Sequence, residues 1–146
     1  MSVRVRVMRM ADYDPAVALW RVCEGIGLSE ADSREGIRRF LRRNPGLSVV
    51  AESGGKLTGT ALAGHDGRRG FIYHLAVAAP HRRSGVGRKL VAACLKRLRA
   101  RGIQKCHLVV FGYNAGALAF WARTGWIRRR DLVLMSMPLT KCKSAC

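Results

Sequence analysis

Apolar and polar residues alternate with two different periods along the chain, and the switches between them predict a mixed fold of strands and helices. At the N-terminus Val3, Val5 and Val7 alternate with arginines, which is typical of a half-buried strand. Further strands are predicted at residues 47–52, 57–65, 70–78, 106–111 and 133–139. Helices are predicted at residues 11–23, 84–101 and 115–124, with another from Ser33 to a stop at 44–46.

The order of these elements, β-α-α-β-β-β-α-β-α-β, predicts an α/β fold class in which a mixed, mostly antiparallel sheet carries helices on both faces. Gly54 and Gly55 predict a tight hairpin between the second and third strands. No repeat, linker or low-complexity block divides the sequence. Residues 1–140 are therefore predicted to form a single domain, and residues 141–146 a disordered C-terminal tail.

The 146-residue chain carries a formal net charge of +18, from 27 Lys and Arg against 9 Asp and Glu. A field of this sign attracts polyanions such as nucleic acid, acidic protein or a phosphorylated cofactor. The arginines form no single tail or stripe, so a solvated basic surface explains them equally well. Apolar residues make up 49% of the chain, which excludes a disordered protein, and no apolar run reaches the roughly 18 residues of a membrane span.

The five cysteines include no Cys-x-x-Cys pair, and no metal site is predicted. Cys23, Cys94 and Cys106 lie in apolar patterns and are predicted to be reduced core residues, as expected of an intracellular protein. Cys142 and Cys146 belong to the polar tail. Residues 1–10 lack the continuous apolar core of a signal peptide, so a cytoplasmic location is predicted.

The pattern Arg82-x-x-Gly85-x-Gly87 stands between a predicted strand and a long predicted helix, and its chemistry is that of an anion site. Free backbone N–H groups at a helix N-terminus point the same way, and the helix dipole adds positive character. Glycines allow a diphosphate to approach the backbone, and Arg83 and Arg88 can add charge-assisted hydrogen bonds. A tight loop-to-helix turn without any ligand requires the same glycines.

This segment resembles motif A of the GNAT superfamily of N-acetyltransferases, whose signature is Gln/Arg-x-x-Gly-x-Gly/Ala after the fourth strand. A second motif of the family is matched downstream at Asn114-x-x-Ala117-x-x-Phe120-Trp121-x-x-x-Gly125-Trp126. The resemblance covers residues 3–139, and the layout is similar to small single-domain bacterial members of the YpeA type. It implies a sheet of six to seven strands splayed between the fourth and fifth.

The resemblance implies acetyl-CoA as cosubstrate, with its pyrophosphate on the motif A loop and its pantetheine arm paired with the fourth strand after a bulge. The cofactor-binding residues implied are Leu75, Ala76, Val77, Arg82, Arg83, Ser84, Gly85, Val86, Gly87, Arg88, Asn114, Ala117, Phe120 and Trp121. For Asn114 a plain helix N-cap is an equally good interpretation.

The implied reaction is direct attack of a neutral amine on the thioester in a ternary complex, with the backbone N–H near Val77 donating to the oxyanion. The sequence departs from the family at Trp121, where the thiolate acid is usually Tyr, since an indole N–H is no practical acid. It also departs at Phe71, where some members have a catalytic Glu. Without these groups, either the thiolate leaves unassisted or another group supplies its proton, and another group must deprotonate the amine.

Tyr73 and His74 are the catalytic candidates that the fourth strand offers in their place. Strand alternation predicts that Tyr73 shares a face with Leu75 and Val77, and that His74 points to the other face. His74 is the better candidate base because histidine titrates near neutrality. A histidine that is merely packed or exposed, and a water relay to Glu24, are alternative interpretations.

The acceptor is predicted to be a primary amine of a small molecule or protein, and the positive charge disfavours a polycationic one. Candidate acceptor contacts in the region of the first two helices are Trp20, Glu24, Asp32 and Glu35; the alternative interpretation packs Trp20 in the core and leaves the acids facing solvent. Two alternative functions are open: a basic nucleic-acid-binding protein and a catalytically inactive acyl-CoA-binding domain. The sequence leaves a homodimer open.

Overall fold

The computed structural model describes residues 2–141. They divide into two compact units, one ending at Phe111 and the other beginning at Gly112. No helix among these residues is both long and apolar enough to cross a membrane. The first unit contains β1 (Arg4–Val7), α1 (Tyr13–Val22), α2 (Arg34–Arg43), β2 (Val49–Ser53), β3 (Lys56–His65), β4 (Gly70–Val77), α3 (Val86–Ala100) and β5 (Cys106–His107). The second unit contains α4 (Ala115–Arg123).

The five strands form one sheet in the order β1-β2-β3-β4-β5. The first four are antiparallel neighbours, and β5 is parallel to β4. The prediction of a mixed, mostly antiparallel sheet is confirmed, but the described residues form five strands where six to seven were expected. β5 spans two residues where 106–111 was predicted, and residues 133–139 form no strand. Alternating apolar residues form a strand only where a neighbouring strand accepts their backbone hydrogen bonds.

Helices cover both faces of the sheet, as predicted. On one face, Trp20 of α1 donates its Nε1–H to the hydroxyl of Thr60 in β3, at 2.8 Å. The preceding residue, Gly59, faces the other side of the sheet, because a Cβ on it would lie 2.9 Å from a methyl of Leu90 in α3. Since neighbouring residues of a strand face opposite sides, α1 and α3 lie on opposite faces. The α1 side also holds Ile37 of α2 in the same buried cluster as Trp20.

Cys23, Cys94 and Cys106 are free thiols, as predicted. Only Cys94 is fully buried, and burial raises its pKa to about 12, which keeps the thiol protonated and unreactive. Cys23 and Cys106 are half-buried. Cys142 and Cys146, and with them all but the first residue of the tail predicted at residues 141–146, lie outside the described residues.

A network of charged side chains ties β1 to the start of α1 and to β2. Arg6 donates to both carboxylate oxygens of Asp12 at 2.8 and 2.9 Å, and to Glu52 at 3.1 Å. The backbone N–H of Arg9 also donates to Asp12, at 2.8 Å. Burial by itself would raise the pKa of Asp12, but the hydrogen bonds from Arg6 and Arg9 outweigh it and lower the pKa. The carboxylate therefore stabilises the folded state only while it is ionised.

We expect Asp12→Asn to lower the free energy of unfolding by about 2 kcal/mol at neutral pH, because it removes charge-assisted hydrogen bonds from a half-buried guanidinium. A lowered folded-state pKa gives stability that is present above the unfolded value of about 3.9 and is lost as the pH falls through the folded-state pKa. Urea unfolding from neutral pH to about pH 3 should therefore show a smaller acid-induced loss for the variant than for the wild type.

Asp14→Asn is the matched control, because Asp14 is exposed and its partner Arg34 lies at the surface. This variant should change stability by less than about 1 kcal/mol. Equal losses for the two variants would contradict the role given to the Arg6–Asp12 network.

Candidate active site

A β-bulge interrupts β4 at His74. Tyr73 lies opposite Leu62 and Ala76 lies opposite Thr60, so three residues of β4 advance against two of β3. His74 has a φ of +50°, in the left-handed region that residues other than glycine seldom adopt. The hydroxyl of Thr60 donates to the backbone carbonyl of His74 at 2.8 Å. This bond holds the strained residue in place.

The bulge overturns the predicted alternation of side chains along β4. Leu62 and Ala76 belong to one buried cluster on the α1 face, and Tyr73 is the residue opposite Leu62. The ring of His74 lies 4.7 Å from that of Trp20, so it faces α1 as well. The prediction that Tyr73 and His74 occupy opposite faces is wrong, because an extra residue in a strand shifts all later residues by one position.

Beyond the bulge, β4 has an edge without a neighbouring strand. Among the described residues, its ladder with β5 consists of Gly70 opposite Cys106 and Phe71 opposite His107. The N–H of Ala78 donates to Thr58 in β3 at 2.8 Å, and the carbonyl of Ala76 lies against Gly59 of the same strand. By alternation, the backbone groups of Leu75 and Val77 point away from β3. The predicted splay between β4 and β5 is present, and Leu75 and Val77, but not Ala76, present backbone groups at the open edge.

The loop after β4 ends in an uncapped helix N-terminus. Gly85 precedes α3 with a φ of +85°, and a Cβ on it would meet nothing within 4 Å. No side chain of residues 2–141 caps this turn, and the hydroxyl of Ser84 donates instead to the carbonyl of His81, at 2.6 Å. Val86 is buried, so it can offer a ligand only its backbone. Among residues 2–141, the first N–H groups of α3 therefore have no hydrogen-bond partner, and the space where a Gly85 side chain would lie is open.

The three arginines predicted beside this turn differ in their placement. Arg82 donates Nε–H to the carbonyl of Val77 at 2.9 Å, and another guanidinium nitrogen lies 3.6 Å from the sulfur of Cys23. The side chain of Arg82 therefore lies at the end of β4 and not beside Gly85. Arg83 is exposed and has a φ of +62°, and Arg88 is exposed in the first turn of α3. Arg83 and Arg88 are thus available to an anion bound at the turn.

His74 and Asp32 form a shielded pair on the α1 face. Nε2 of His74 lies 2.7 Å from Oδ1 of Asp32, and the side chains are 15% and 13% exposed. The other oxygen of Asp32 accepts the N–H of Ser29 at 3.0 Å. Burial tends to raise the pKa of Asp32, but hydrogen bonds from His74 and Ser29 lower it, so the carboxylate is ionised at neutral pH. An ionised carboxylate only accepts, so Nε2 carries a proton and the lone pair of the neutral imidazole is on Nδ1.

Tyr73 is set apart from this pair. Its ring stacks on Phe71 at 6.1 Å and meets Phe40 edge-on at 6.0 Å. Burial raises the pKa of its hydroxyl, which makes it a weaker acid than an ordinary tyrosine. Of the two catalytic side chains predicted on β4, His74 has a charged hydrogen-bond partner, and Tyr73 packs among aromatic rings.

An open cleft of about 220 Å³ lies beside Asp32. Of the predicted acceptor contacts, only Asp32 lines it; Trp20 is in the core, Glu24 is exposed, and Glu35 is bound to Arg38 at 2.8 Å. The sequence had not shown that Asp32 holds His74. The Ser29-x-x-Asp32 spacing is that of a capping box, which predicts a short helical turn at Glu30–Asp32. It does not indicate that the second carboxylate oxygen of Asp32 binds His74. The cleft is lined by Tyr13, Val17, Arg21, Leu28, Ser29, Asp32 and Ser33.

In the second unit, Asn114 caps α4 by accepting the N–H of Ala117 at 3.0 Å. The capping interpretation of Asn114 is confirmed, and this bond occupies its side-chain oxygen. The rings of Phe120 and Trp121, and those of Trp121 and Trp126, meet edge-to-face at 5.1 Å. Trp121 thus belongs to an aromatic group and has no ionisable hydroxyl to offer.

Residues 13–126 match the model of the acetyltransferase (GNAT) family. An acetyltransferase of Sodalis glossinidius is 30% identical over 94% of this chain and 96% of its own length. One of Photorhabdus laumondii is 36% identical over 74% of this chain and 75% of its own.

Two solved structures share the fold. Ard1 from Thermoplasma volcanium has a TM-score of 0.77 at 20% identity, over 87% of this chain and 84% of that one. The PaiA N-acetyltransferase from Thermoplasma acidophilum, solved with coenzyme A, has a TM-score of 0.73 at 18% identity, over 86% and 89%. With the family match over most of its length, the chain belongs to the GNAT family and is an N-acetyltransferase with acetyl-CoA as its cosubstrate.

Proposed function

We propose that this protein transfers the acetyl group of acetyl-CoA directly to a primary amine of a small molecule or protein, with both substrates bound at once. The observation that carries the proposal is the uncapped turn at Gly85, which follows the open edge of β4 and has open space where a Gly85 side chain would lie. An anion fits the turn and an extended chain fits the edge. Acetyl-CoA combines a diphosphate with an extended pantetheine arm.

In this proposal the diphosphate accepts hydrogen bonds from the backbone N–H groups of Gly85, Val86, Gly87 and Arg88. Arg83 and Arg88 supply the neutralising charge, and the positive end of the α3 dipole adds to it. The pantetheine arm lies along β4 and pairs with the backbone of Leu75 and Val77. This pairing brings the thioester to the bulge.

His74 is the proposed general base. Asp32 fixes its ring so that Nδ1 can take the proton from the attacking amine, whose nitrogen bonds to the thioester carbon. The N–H of Val77 donates to the developing oxyanion. When the carbon–sulfur bond breaks, the electron pair leaves with the CoA thiolate, and we propose that solvent protonates this thiolate because neither Trp121 nor Tyr73 offers a suitable acid.

The acceptor is proposed to enter through the cleft beside Asp32, on the face to which His74 points. Arg21 lines this cleft, and it favours an acceptor that is neutral or carries an acidic group near its amine. Asp32 is engaged by His74 and Ser29, so it adds little attraction for a cationic acceptor.

Replacing Gly85 by Asp should weaken coenzyme A binding on the order of tenfold or more, because it places a carboxylate where the diphosphate is expected. Gly85→Asn is the matched control, since Asn has the same size and tolerates the left-handed backbone equally well. Isothermal titration calorimetry with coenzyme A measures both. Equal affinities for the two variants would contradict diphosphate binding at this turn.

His74→Gln should lower kcat by about 10²- to 10⁴-fold at neutral pH while leaving the Kd of acetyl-CoA within about twofold, because a general base acts on the amine and not on the cofactor. Thiol release with a panel of small amines and peptides measures the rate. His65→Gln, on the β3–β4 hairpin, is the control and should retain full activity. A fully active His74→Gln variant would exclude this base, and a wild type inactive toward every amine would favour an acyl-CoA-binding domain without catalysis.

Asp32→Asn should reduce kcat about tenfold or more, because an amide can donate to Nε2 and so stabilise the tautomer whose lone pair points away from the amine. The acetyl-CoA Kd should stay the same, since Asp32 lies apart from the Gly85 turn. Glu35→Asn serves as the control from the same region, because Glu35 is exposed. A loss of activity that only follows a loss of folded protein would show that Asp32 is purely structural.

A further inference from the structure

The end of the first unit opposite the Gly85 turn gathers basic residues from three separate segments. We define the basic end as Arg42, Arg43, Arg68, Arg69, Arg101 and Lys105. All of them are exposed except Arg69, which is half-buried. Their segments are 42–46, which includes the last two residues of α2, 65–70 in the β3–β4 hairpin, and 101–105 after α3. The sequence showed these residues as scattered arginines, and the fold brings them together.

Direct hydrogen bonds connect the three segments. The N–H of His65 donates to Asn44 Oδ1 at 3.0 Å, which ties the hairpin to the end of α2. The guanidinium of Arg101 donates to the carbonyl of Pro45. The N–H of Gly70 donates to the carbonyl of Lys105 at 2.9 Å. The basic residues are therefore presented by connected backbone and not by independent loops.

Negative charge at the basic end is minimal. Asp66 is the only acidic residue in the three segments. One oxygen of its carboxylate accepts the backbone N–H groups of Arg68 and Arg69, both at 2.8 Å. The carboxylate of Asp66 thus binds the backbone of the hairpin, and the guanidinium groups of Arg68 and Arg69 remain available to other anions.

We propose that the basic end is a docking surface for the phosphate backbone of nucleic acid, separate from the acetyl-CoA site. Five of its six residues are arginines, whose planar guanidinium groups match phosphate oxygens in pairs. Stable protein interfaces are built around an apolar core, and amphipathic membrane sites insert apolar side chains. The exposed large hydrophobic residues of the described chain all lie outside these three segments. A polar, strongly positive surface is what nucleic-acid interfaces have.

The two anion sites are far enough apart to be occupied together. β4 runs from Gly70 at the basic end to Val77 near the Gly85 turn, which is about 23 Å at the rise of a strand. Helix α3 has 15 residues between the same two ends, about 22 Å. Nucleic acid at the basic end would hold the enzyme beside an acceptor bound to the same nucleic acid while the cofactor turn stays open.

The test is the salt dependence of binding to a labelled RNA hairpin and a labelled DNA duplex, measured by fluorescence anisotropy. The triple variant Arg42→Gln, Arg43→Gln, Arg68→Gln should reduce the slope of log K against log salt by about 3, one unit for each lost phosphate contact. Its Kd at low salt should rise on the order of tenfold. Its coenzyme A affinity and melting temperature should match those of the wild type.

The control variant also removes three positive charges, but outside the basic end. It changes the exposed Arg9, Arg123 and Arg130 to Gln. If this variant loses as much nucleic-acid affinity as the first, only the net charge of the protein acts and the proposal is wrong. Displacement of the RNA by coenzyme A would overturn it as well, because it would place the RNA on the Gly85 turn. So would equal competition by polyglutamate or by vesicles of anionic lipid, since neither is a nucleic acid.

Discussion

The hydroxyl of Thr60 supports the proposed catalytic geometry. Buried under α1, it accepts the indole N–H of Trp20 and donates to the carbonyl of His74, both at 2.8 Å. A buried hydroxyl that uses both its donor and its acceptor holds two elements in a fixed relation. Its bond to the carbonyl of His74 lies at the bulge, where that residue has a φ of +50°. The bulge turns His74 toward Asp32.

Strand β4 and helix α3 connect the two sites inferred for this protein. Both elements span the first unit from one end to the other. At one end they leave the open edge of β4 and the N–H groups of the Gly85 turn, and at the other they contribute to the basic end. Net charge alone does not distinguish these sites. As proposed, the Gly85 turn binds through backbone N–H groups backed by two arginines and the basic end through side chains, so binding at the basic end is expected to depend far more on salt.

Local features of this fold could be predicted from the sequence, and features that depend on distant pairing could not. The turn before α3 is local, because Gly85 and Gly87 mark it within a few residues. The bulge at His74 depends on Thr60, 14 residues away, and the partner of His74 is 42 residues away. Alternation predicted a strand at 133–139, but a strand exists only with a neighbour to pair with. The basic end likewise needed the contacts of Asn44, Pro45 and Lys105 to bring its segments together.

The most direct test of the acetyl-CoA site is a crystal structure of the protein with coenzyme A. It should show diphosphate oxygens within hydrogen-bond distance of the N–H groups at Gly85 and Gly87, and the pantetheine arm paired with Leu75 and Val77. A pantetheine arm elsewhere, or a diphosphate held only by side chains at another surface, would contradict the site described for this enzyme.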